Sequence, residues 1–162
     1  EHLLSLGHRQ IGFIDGLLAG TRQSRRRGWQ DALAAHQLPD HELVVAGNLQ
    51  VAGGAKAVAE LWQKKTPPTA LVVANHLMAL GAMGELKARG YKVGEDVSIV
   101  GFDDSEISAL VDPPLTVVRQ PTERVAQAAS KLLLEQISGK QELELVELET
   151  ELIIRASTGR KK

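Results

Sequence analysis

Short apolar runs alternate along the chain with segments in which apolar residues recur every three or four positions. The apolar runs predict strands at residues 11–14, 43–46, 70–74 and 98–102. The periodic segments between them predict helices, with Ser24 as the N-cap of the first and with starts near Gly53 and His76 for the next two. Strands and helices in this rhythm form right-handed βαβ units, so the sequence predicts an α/β fold with a doubly wound parallel sheet.

The alternation weakens in the second half of the chain. A helix is predicted from about Thr122 to Ile137, and its apolar stripe includes Leu132 and Leu133. A short apolar run predicts a strand at residues 115–118. Alternation of apolar residues with glutamate predicts another at 143–148, and residues 151–155 are a further candidate strand.

The amino-terminal residues have the pattern of the end of a helix. Leu3, Leu4 and Leu6 are followed by Gly7, which is typical of a glycine C-cap. The chain opens at Glu1 without an initiator methionine and without a basic segment followed by an apolar one. We therefore expect the chain to be a fragment of a longer protein, for which the missing signal segment does not decide the compartment.

Composition narrows the class of protein. The 162 residues suffice for one compact domain, and 43% hydrophobic with 24% charged residues is ordinary for a globular fold. The formal charge is −1, whereas a self-sufficient nucleic-acid binder carries a basic excess, so we expect that this segment does not hold DNA by itself. The absence of cysteine excludes disulfides, cysteine zinc ligands and a thiol nucleophile.

Polar residues follow the predicted strands, where ligands bind in open α/β sheets. An arginine fork, side-chain amides and carboxylates at this edge would suit a ligand rich in hydroxyl groups, such as a sugar. The residues concerned are Asp15, Arg25, Asn48, Asn75, His76, Asp103 and Asp104.

Each of these residues also has a plainer interpretation. The run of arginines at 25–27 is typical of a solvated helix face, Asn75 or His76 would cap the following helix, and the two aspartates would form a turn. An acid–base set or metal site made of His76 and the aspartates is a further alternative, but no nucleophile elbow, phosphate loop or zinc-binding helix motif accompanies it. The other histidines are expected at the surface: His2, His8, His36 and His41.

Six strings in the same order and spacing give the chain a resemblance to the lactose/galactose repressor family of bacterial transcription regulators. They are residues 2–14 (HLLSLGHRQIGFI), 24–29 (SRRRGW), 74–82 (ANHLMALGA), 96–104 (DVSIVGFDD), 113–116 (PPLT, followed by Gln120-Pro121) and 155–158 (RAST). Members of that family carry a helix-turn-helix headpiece and a two-lobed effector domain like the periplasmic sugar-binding proteins. The resemblance implies that residues of about 1–115 and 143–158 form the carboxyl-terminal lobe. It implies that the helix at about 119–138 belongs to the amino-terminal lobe, and that the headpiece is absent from this chain.

The resemblance also implies a ligand site. Arg25, Asn75 and Asp103 fall on the polar ligand positions of the family, and Leu49 falls where the family often has an aromatic residue facing the sugar ring. Arg25 is placed in the first turn of its helix, where a cation is unfavourable, so a partner is expected, either Asp103 or the ligand. His76 stands where the family usually has aspartate, which either removes an acceptor and changes ligand preference or is a neutral surface substitution.

Self-association is implied as well. In the family the helix after the third strand and the segment after the fourth build a dimer interface, to which Leu80, Met83, Leu110 and Val111 would contribute here. The plainer alternative places Leu80 and Met83 in the core. The stripe of the Thr122 helix is expected to lack its partner lobe, leaving the helix displaced, swapped onto a neighbour or covered by a crystal contact.

The function that follows is the effector-binding and dimerisation part of a cytoplasmic transcription repressor. Its effector would be a sugar or related small metabolite, and it would reach operator DNA through the missing headpiece, as a homodimer or a tetramer. The resemblance implies no cofactor, no metal, no membrane partner and no enzymatic activity. Two alternatives are a periplasmic or transport-linked sugar-binding protein of the same fold and an enzyme on a similar sheet.

Overall fold

The computed structural model describes residues 1–16, 21–39, 43–140 and 144–162. The helices and strands alternate as the hydrophobic pattern predicts. In chain order they are α1 (His2–Ser5), β1 (Ile11–Asp15), α2 (Thr21–Ala35), β2 (Val44–Ala46), α3 (Val51–Leu61), β3 (Ala70–Val73), α4 (His76–Ala88), β4 (Ser98–Phe102), α5 (Glu106–Leu110), β5 (Thr116–Arg119), α6 (Thr122–Ile137) and β6 (Glu151–Ile153).

One six-stranded sheet organises the chain, in the order β2-β1-β3-β4-β5-β6. The first five strands are parallel, and β6 pairs antiparallel with β5 at the edge. Because the strand order reverses direction at β1, right-handed crossovers place α2 on one face and both α3 and α4 on the other. The prediction of a doubly wound, mostly parallel sheet is confirmed.

The core lies on both sides of the central strands. β1 is buried along its whole length, and β3 and β4 are buried except at one residue each, which explains why these strands are continuous apolar runs. α3 and α4 lie on the face of the sheet opposite to α2, and they approach each other closely. Glycine permits this approach, since a Cβ at Gly54 would clash with the backbone of Met78 and one at Gly81 with the backbone of Val51.

The amino-terminal turn is a short helix that ends as predicted. Leu3 and Leu4 are buried, and Gly7 adopts φ +92°, a conformation that favours glycine. The prediction that His8 lies at the surface is wrong. Its side chain is only 2% exposed, and both ring nitrogens are hydrogen-bonded. Burial lowers the pKa of this histidine. His41 lies outside the described residues.

The start of α2 and the segment before β6 differ from the sequence prediction. α2 begins at Thr21, so Ser24 is inside the helix and Arg25 is in its second turn. The arginines and glutamine before Trp29 favour helix without adding an apolar period, so the pattern did not reveal the start. Residues 144–148 form no strand, since a strand needs a neighbour to bond and only β6 reaches the edge of the sheet. Leu143 lies outside the described residues.

α6 has the bounds that its periodicity predicts, but none of its residues is buried. Leu133, Leu134 and Ile137 are 57%, 64% and 74% exposed, and Leu132 is half-buried. The apolar stripe of this helix therefore has no partner within the described part of the chain. No helix among the described residues is long and apolar enough to cross a membrane.

The four residues implied in a dimer interface do not form one exposed patch. Leu110 is 81% exposed, whereas Met83 is only 6% exposed and belongs to the core. Leu80 and Val111 are partly buried and pack against that core. The side of α4 that carries Met83 packs on the sheet, so the alternative that places this residue in the core is correct. The dimer itself stays a prediction.

Candidate functional site

Arg25 reaches across the carboxyl edge of the sheet to the ends of two strands. Its Nη1 donates to the carbonyl oxygen of Ala74, after β3, at 2.5 Å, and its Nη2 lies 3.5 Å from Oδ1 of Asp103, after β4. The guanidinium carbon also stands 4.7 Å from the ring centroid of Phe102, a cation–π arrangement. Of the two partners expected for Arg25, Asp103 is present, although the position of Arg25 in the second turn removes the helix-dipole reason for expecting one.

Asp103 is the meeting point of three elements. Its Oδ1 accepts from the Nε2 of Gln120 as well as from Arg25, and its backbone N–H donates to Val118 O at 3.0 Å. The residue adopts φ +67°, a backbone conformation that is rare for residues other than glycine. Such a conformation persists where the surrounding contacts fix it. Its side chain is 34% exposed and that of Arg25 is 19% exposed, so solvent or a ligand can reach both.

Asn75 caps α4, as its plainer interpretation proposed. Its Oδ1 accepts from Met78 N at 2.9 Å, and its Nδ2 donates to Leu49 O at 3.0 Å. An amide has two N–H donors, so one remains for a ligand. Leu49 adopts φ +63°, and its side chain lies over Gly16, so it borders the edge of the sheet after β1.

His76 is the first residue of α4 and is half-buried. Its Nδ1 is buried and has no hydrogen-bond partner among the described residues. A neutral surface substitution requires a freely solvated side chain. His76 does not have one.

Asp104 points into an ion-pair cluster and does not join Arg25. Both of its oxygens accept from Arg155, at 3.0 and 2.9 Å, and Oδ2 also accepts from Arg119 at 2.7 Å. The side chain is 10% exposed, and its pKa is lowered, chiefly by the hydrogen bonds of Arg155. Asp104 thus ties the end of β4 to β5 and β6, and arginines bond both of its carboxylate oxygens.

The arginines next to Arg25 have different surroundings. Arg26 Nη1 lies 3.8 Å from Oδ2 of Asp15, a carboxylate at the end of β1 that is 1% exposed. Arg27 is 82% exposed and stands 3.9 Å from Asp31 on its own helix. The solvated-face interpretation is correct for Arg27 only.

The site that emerges contains a guanidinium, a carboxylate and one free amide proton beside an apolar leucine. The sequence predicts Arg25, Leu49, Asn75 and Asp103 as ligand residues, and their ligand role stays a prediction. The structure pairs Arg25 with Asp103 and Asn75 with Leu49, and Gln120 was not predicted as a partner of Asp103. Gln120 belongs to one of the strings that carry the resemblance, so the signal was available. Among the residues that the structure describes, no three histidine, aspartate or glutamate side chains are grouped to hold a metal ion.

Comparisons with known proteins agree with this architecture. A periplasmic binding protein-like domain matches residues 1–158. The HTH-type transcriptional repressor PurR of Aliivibrio salmonicida is 36% identical over 160 residues, which are 97% of this chain and 48% of that repressor. The chain thus spans about half the length of the curated relatives it matches.

Solved structures of regulators superpose closely. The Lac repressor dimer bound to operator and the anti-inducer ONPF is similar with a TM-score of 0.90 at 33% identity, over 98% of this chain and 55% of that one. A complex of the transcriptional regulator CelR with cellobiose gives a TM-score of 0.90 at 35% identity, over 96% of this chain and 49% of that one.

Proposed function

Since the chain belongs to the periplasmic binding protein-like domain family, in its lactose/galactose repressor group, we propose that it is the effector-binding part of a transcription repressor. The effector is a sugar or a related small metabolite. The observation that carries the proposal is the Arg25–Asp103 pair at the carboxyl edge of the sheet, the edge at which ligands bind in open α/β sheets.

The chemistry of the site suits adjacent hydroxyl groups. The guanidinium of Arg25 offers donors in a fixed fork, and the carboxylate of Asp103 offers acceptors. Asn75 keeps one donor for the ligand, and Leu49 gives an apolar contact in place of an aromatic platform. These groups bind and orient a neutral ligand, and we propose that the chain acts by binding rather than by catalysis.

The remaining assignments follow from the family. Residues of about 1–115 and 143–158 form the carboxyl-terminal lobe, and α6 belongs to the amino-terminal lobe, which its exposed stripe supports. The repressor works in the cytoplasm as a dimer and binds operator DNA through a separate headpiece. The net charge of −1 supports a segment that does not touch DNA. Effector binding shifts the population between two lobe arrangements that differ in DNA affinity.

Calorimetric titration of the full-length repressor, which has both lobes, with a panel of sugars that includes cellobiose tests the proposal. We expect one sugar to bind, and Arg25→Ala to weaken its affinity about ten- to a hundredfold, because a hydrogen bond to a charged group is lost. Arg27→Ala is the matched control, since Arg27 is a neighbouring arginine with an exposed side chain. Equal affinities for the two variants, both near that of the wild type, would contradict the proposal.

A further inference from the structure

Asp15 is a buried carboxylate that is not part of the proposed ligand site. It is 1% exposed at the end of β1, where it lies opposite Ala46 of β2 and its carbonyl oxygen accepts from Gly47 N at 2.7 Å. A carboxylate inside a protein is costly unless charged or hydrogen-bonding groups accompany it. One such group is the guanidinium of Arg26, whose Nη1 lies 3.8 Å from Oδ2 of Asp15. The sheet therefore contacts α2 through an ion pair at the end of β1.

The burial of Asp15 gives this ion pair its strength. At 3.8 Å the two groups form a charge pair rather than a hydrogen bond. The side chain of Asp15 is 2% exposed and that of Arg26 is 38% exposed, so water and salt screen the attraction less than they screen a surface pair. β1 bonds to β2 on one side and to β3 on the other, which fixes the position of Asp15. The ion pair consequently draws α2 toward β1.

Arg25 precedes Arg26 and reaches other strands from the same turn of α2. Its guanidinium donates to Ala74 O after β3, lies 3.5 Å from Asp103 after β4 and stands 4.7 Å from the ring centroid of Phe102. Successive residues of an α-helix project about 100° apart around its axis. The two arginines therefore fasten one turn of α2 to the ends of three strands.

The rest of this turn does not hold the helix on the sheet. The other residues from 24 to 28 are exposed. The next side chain of α2 that is buried in the core is that of Trp29, whose ring centroid lies 5.5 Å from that of Phe13. From residue 24 to residue 28, Arg25 and Arg26 are thus the described side chains that bind α2 to the sheet.

We propose that Arg26 is a positioning residue of the ligand site: its ion pair with Asp15 keeps the guanidinium of Arg25 in that site. Loss of the ion pair would move Arg25 away from Asp103 and from the ring of Phe102. Arg26 itself contacts no ligand in this proposal and acts through Arg25. The inference rests on the proposed function for the role of Arg25 in binding, but the placement of Arg25 is measured without a ligand.

A fluorine label on the ring of Phe102 reports the placement of Arg25. The label, para-fluorophenylalanine at this position alone in the full-length repressor, gives one resonance. Its chemical shift depends on the positive charge that stands 4.7 Å from the ring centroid. Arg25→Ala removes that charge and defines the shift of the uncovered ring. We expect Arg26→Leu to move the resonance toward that value, and a resonance that stays at the position of the labelled parent would overturn the proposal.

Three further variants make the result specific. Arg26→Lys keeps the positive charge, so its resonance should lie nearer to that of the parent than the resonance of Arg26→Leu does. Arg27→Leu is the matched control and should leave the resonance unchanged, because Arg27 is 82% exposed and stands 3.9 Å from Asp31 on its own helix. An equal shift for Arg27→Leu and Arg26→Leu would also overturn the proposal. If Arg26→Leu alone does not fold, its combination with Asp15→Asn leaves no uncompensated buried charge and should show the same shift.

Calorimetric titration with cellobiose separates a positioning residue from a direct ligand contact. We expect Arg26→Leu to weaken the affinity about three- to tenfold, less than Arg25→Ala does, because the guanidinium is displaced but not removed. In a chain that already carries Arg25→Ala, the same change should have no further effect. An equal loss of affinity in both backgrounds would overturn the proposal. If no sugar of the panel binds the parent while the fluorine resonances shift as expected, the proposed function fails and the placement of Arg25 by Arg26 stands.

Discussion

His8 shows how one buried side chain joins distant parts of the chain. Its Nε2 lies 3.1 Å from the carbonyl oxygen of Gly159, which can only accept, so the neutral ring carries its proton on Nε2. Nδ1 then accepts from the Thr69 hydroxyl at 2.9 Å, and the Oγ of Ser98 stands 3.0 Å from Nε2. A neutral histidine therefore holds the carboxyl-terminal residues against β4.

We expect the stability of the chain to fall as the pH drops below 6.5. Burial lowers the pKa of His8 in the folded state, so the unfolded chain binds the proton first. The contribution of His8 is therefore complete above the unfolded pKa of about 6.5 and is lost as pH falls from there toward the folded pKa. Urea unfolding at several pH values measures the slope.

Two variants identify the histidine responsible. The pKa of His2 is also lowered, chiefly by burial, so some pH dependence should persist without His8. His8→Gln and His2→Gln should each reduce the slope below pH 6.5, because burial lowers the pKa of both histidines in the folded state. A slope that His8→Gln leaves unaltered would show that His8 is not the titrating group.

At the scale of helices and strands, the hydrophobic pattern predicts the elements that are long enough to show its period. The strands 11–14, 70–74 and 98–102 and the helix 122–137 were predicted at or within a residue of their bounds. The pattern missed α5, because five residues are too few to show a helical period. It predicted a strand at 143–148 from alternation alone, since alternation does not say whether a neighbouring strand is within reach.

The contact between α3 and α4 gives an element-scale prediction. We expect Gly81→Ala to lower the free energy of unfolding by about 1–3 kcal/mol, because the methyl group has no room against the backbone of Val51. Gly84→Ala on the same helix meets nothing within 4 Å, and should be neutral or stabilising by up to about 1 kcal/mol. Urea midpoints that are equal for the two variants would contradict this account of the packing.

At the scale of the whole molecule, the resemblance predicted which polar residues lie at the carboxyl edge of the sheet but not how they bond to one another. Arg25 and Asp103 were predicted to lie together and do, because parallel strands bring their carboxyl ends to one edge. The role of Asp104 in an ion-pair cluster and the bond from Gln120 to Asp103 were not predicted. They depend on how β5 and β6 join the sheet edge, which spacing along the chain does not encode.

The proposed dimer is best tested by replacing an exposed leucine of the predicted interface. Leu80 packs against the core, so Leu80→Asp would lower stability whether or not a dimer exists. Leu110 is 81% exposed, so Leu110→Asp removes apolar surface from the proposed interface without disturbing the core. We expect sedimentation velocity to show a dimer for the wild type and a monomer for Leu110→Asp, with an unchanged melting temperature.

Two further variants complete the dimer experiment. Leu145→Asp is the matched control, because Leu145 is 87% exposed but lies outside α4 and α5, and this variant should still sediment as a dimer. Leu134→Asp alters the exposed stripe of α6, which is a second apolar surface able to join two chains. If Leu110→Asp remains a dimer and Leu134→Asp becomes a monomer, the two chains associate through α6, and the predicted interface around Leu110 is wrong.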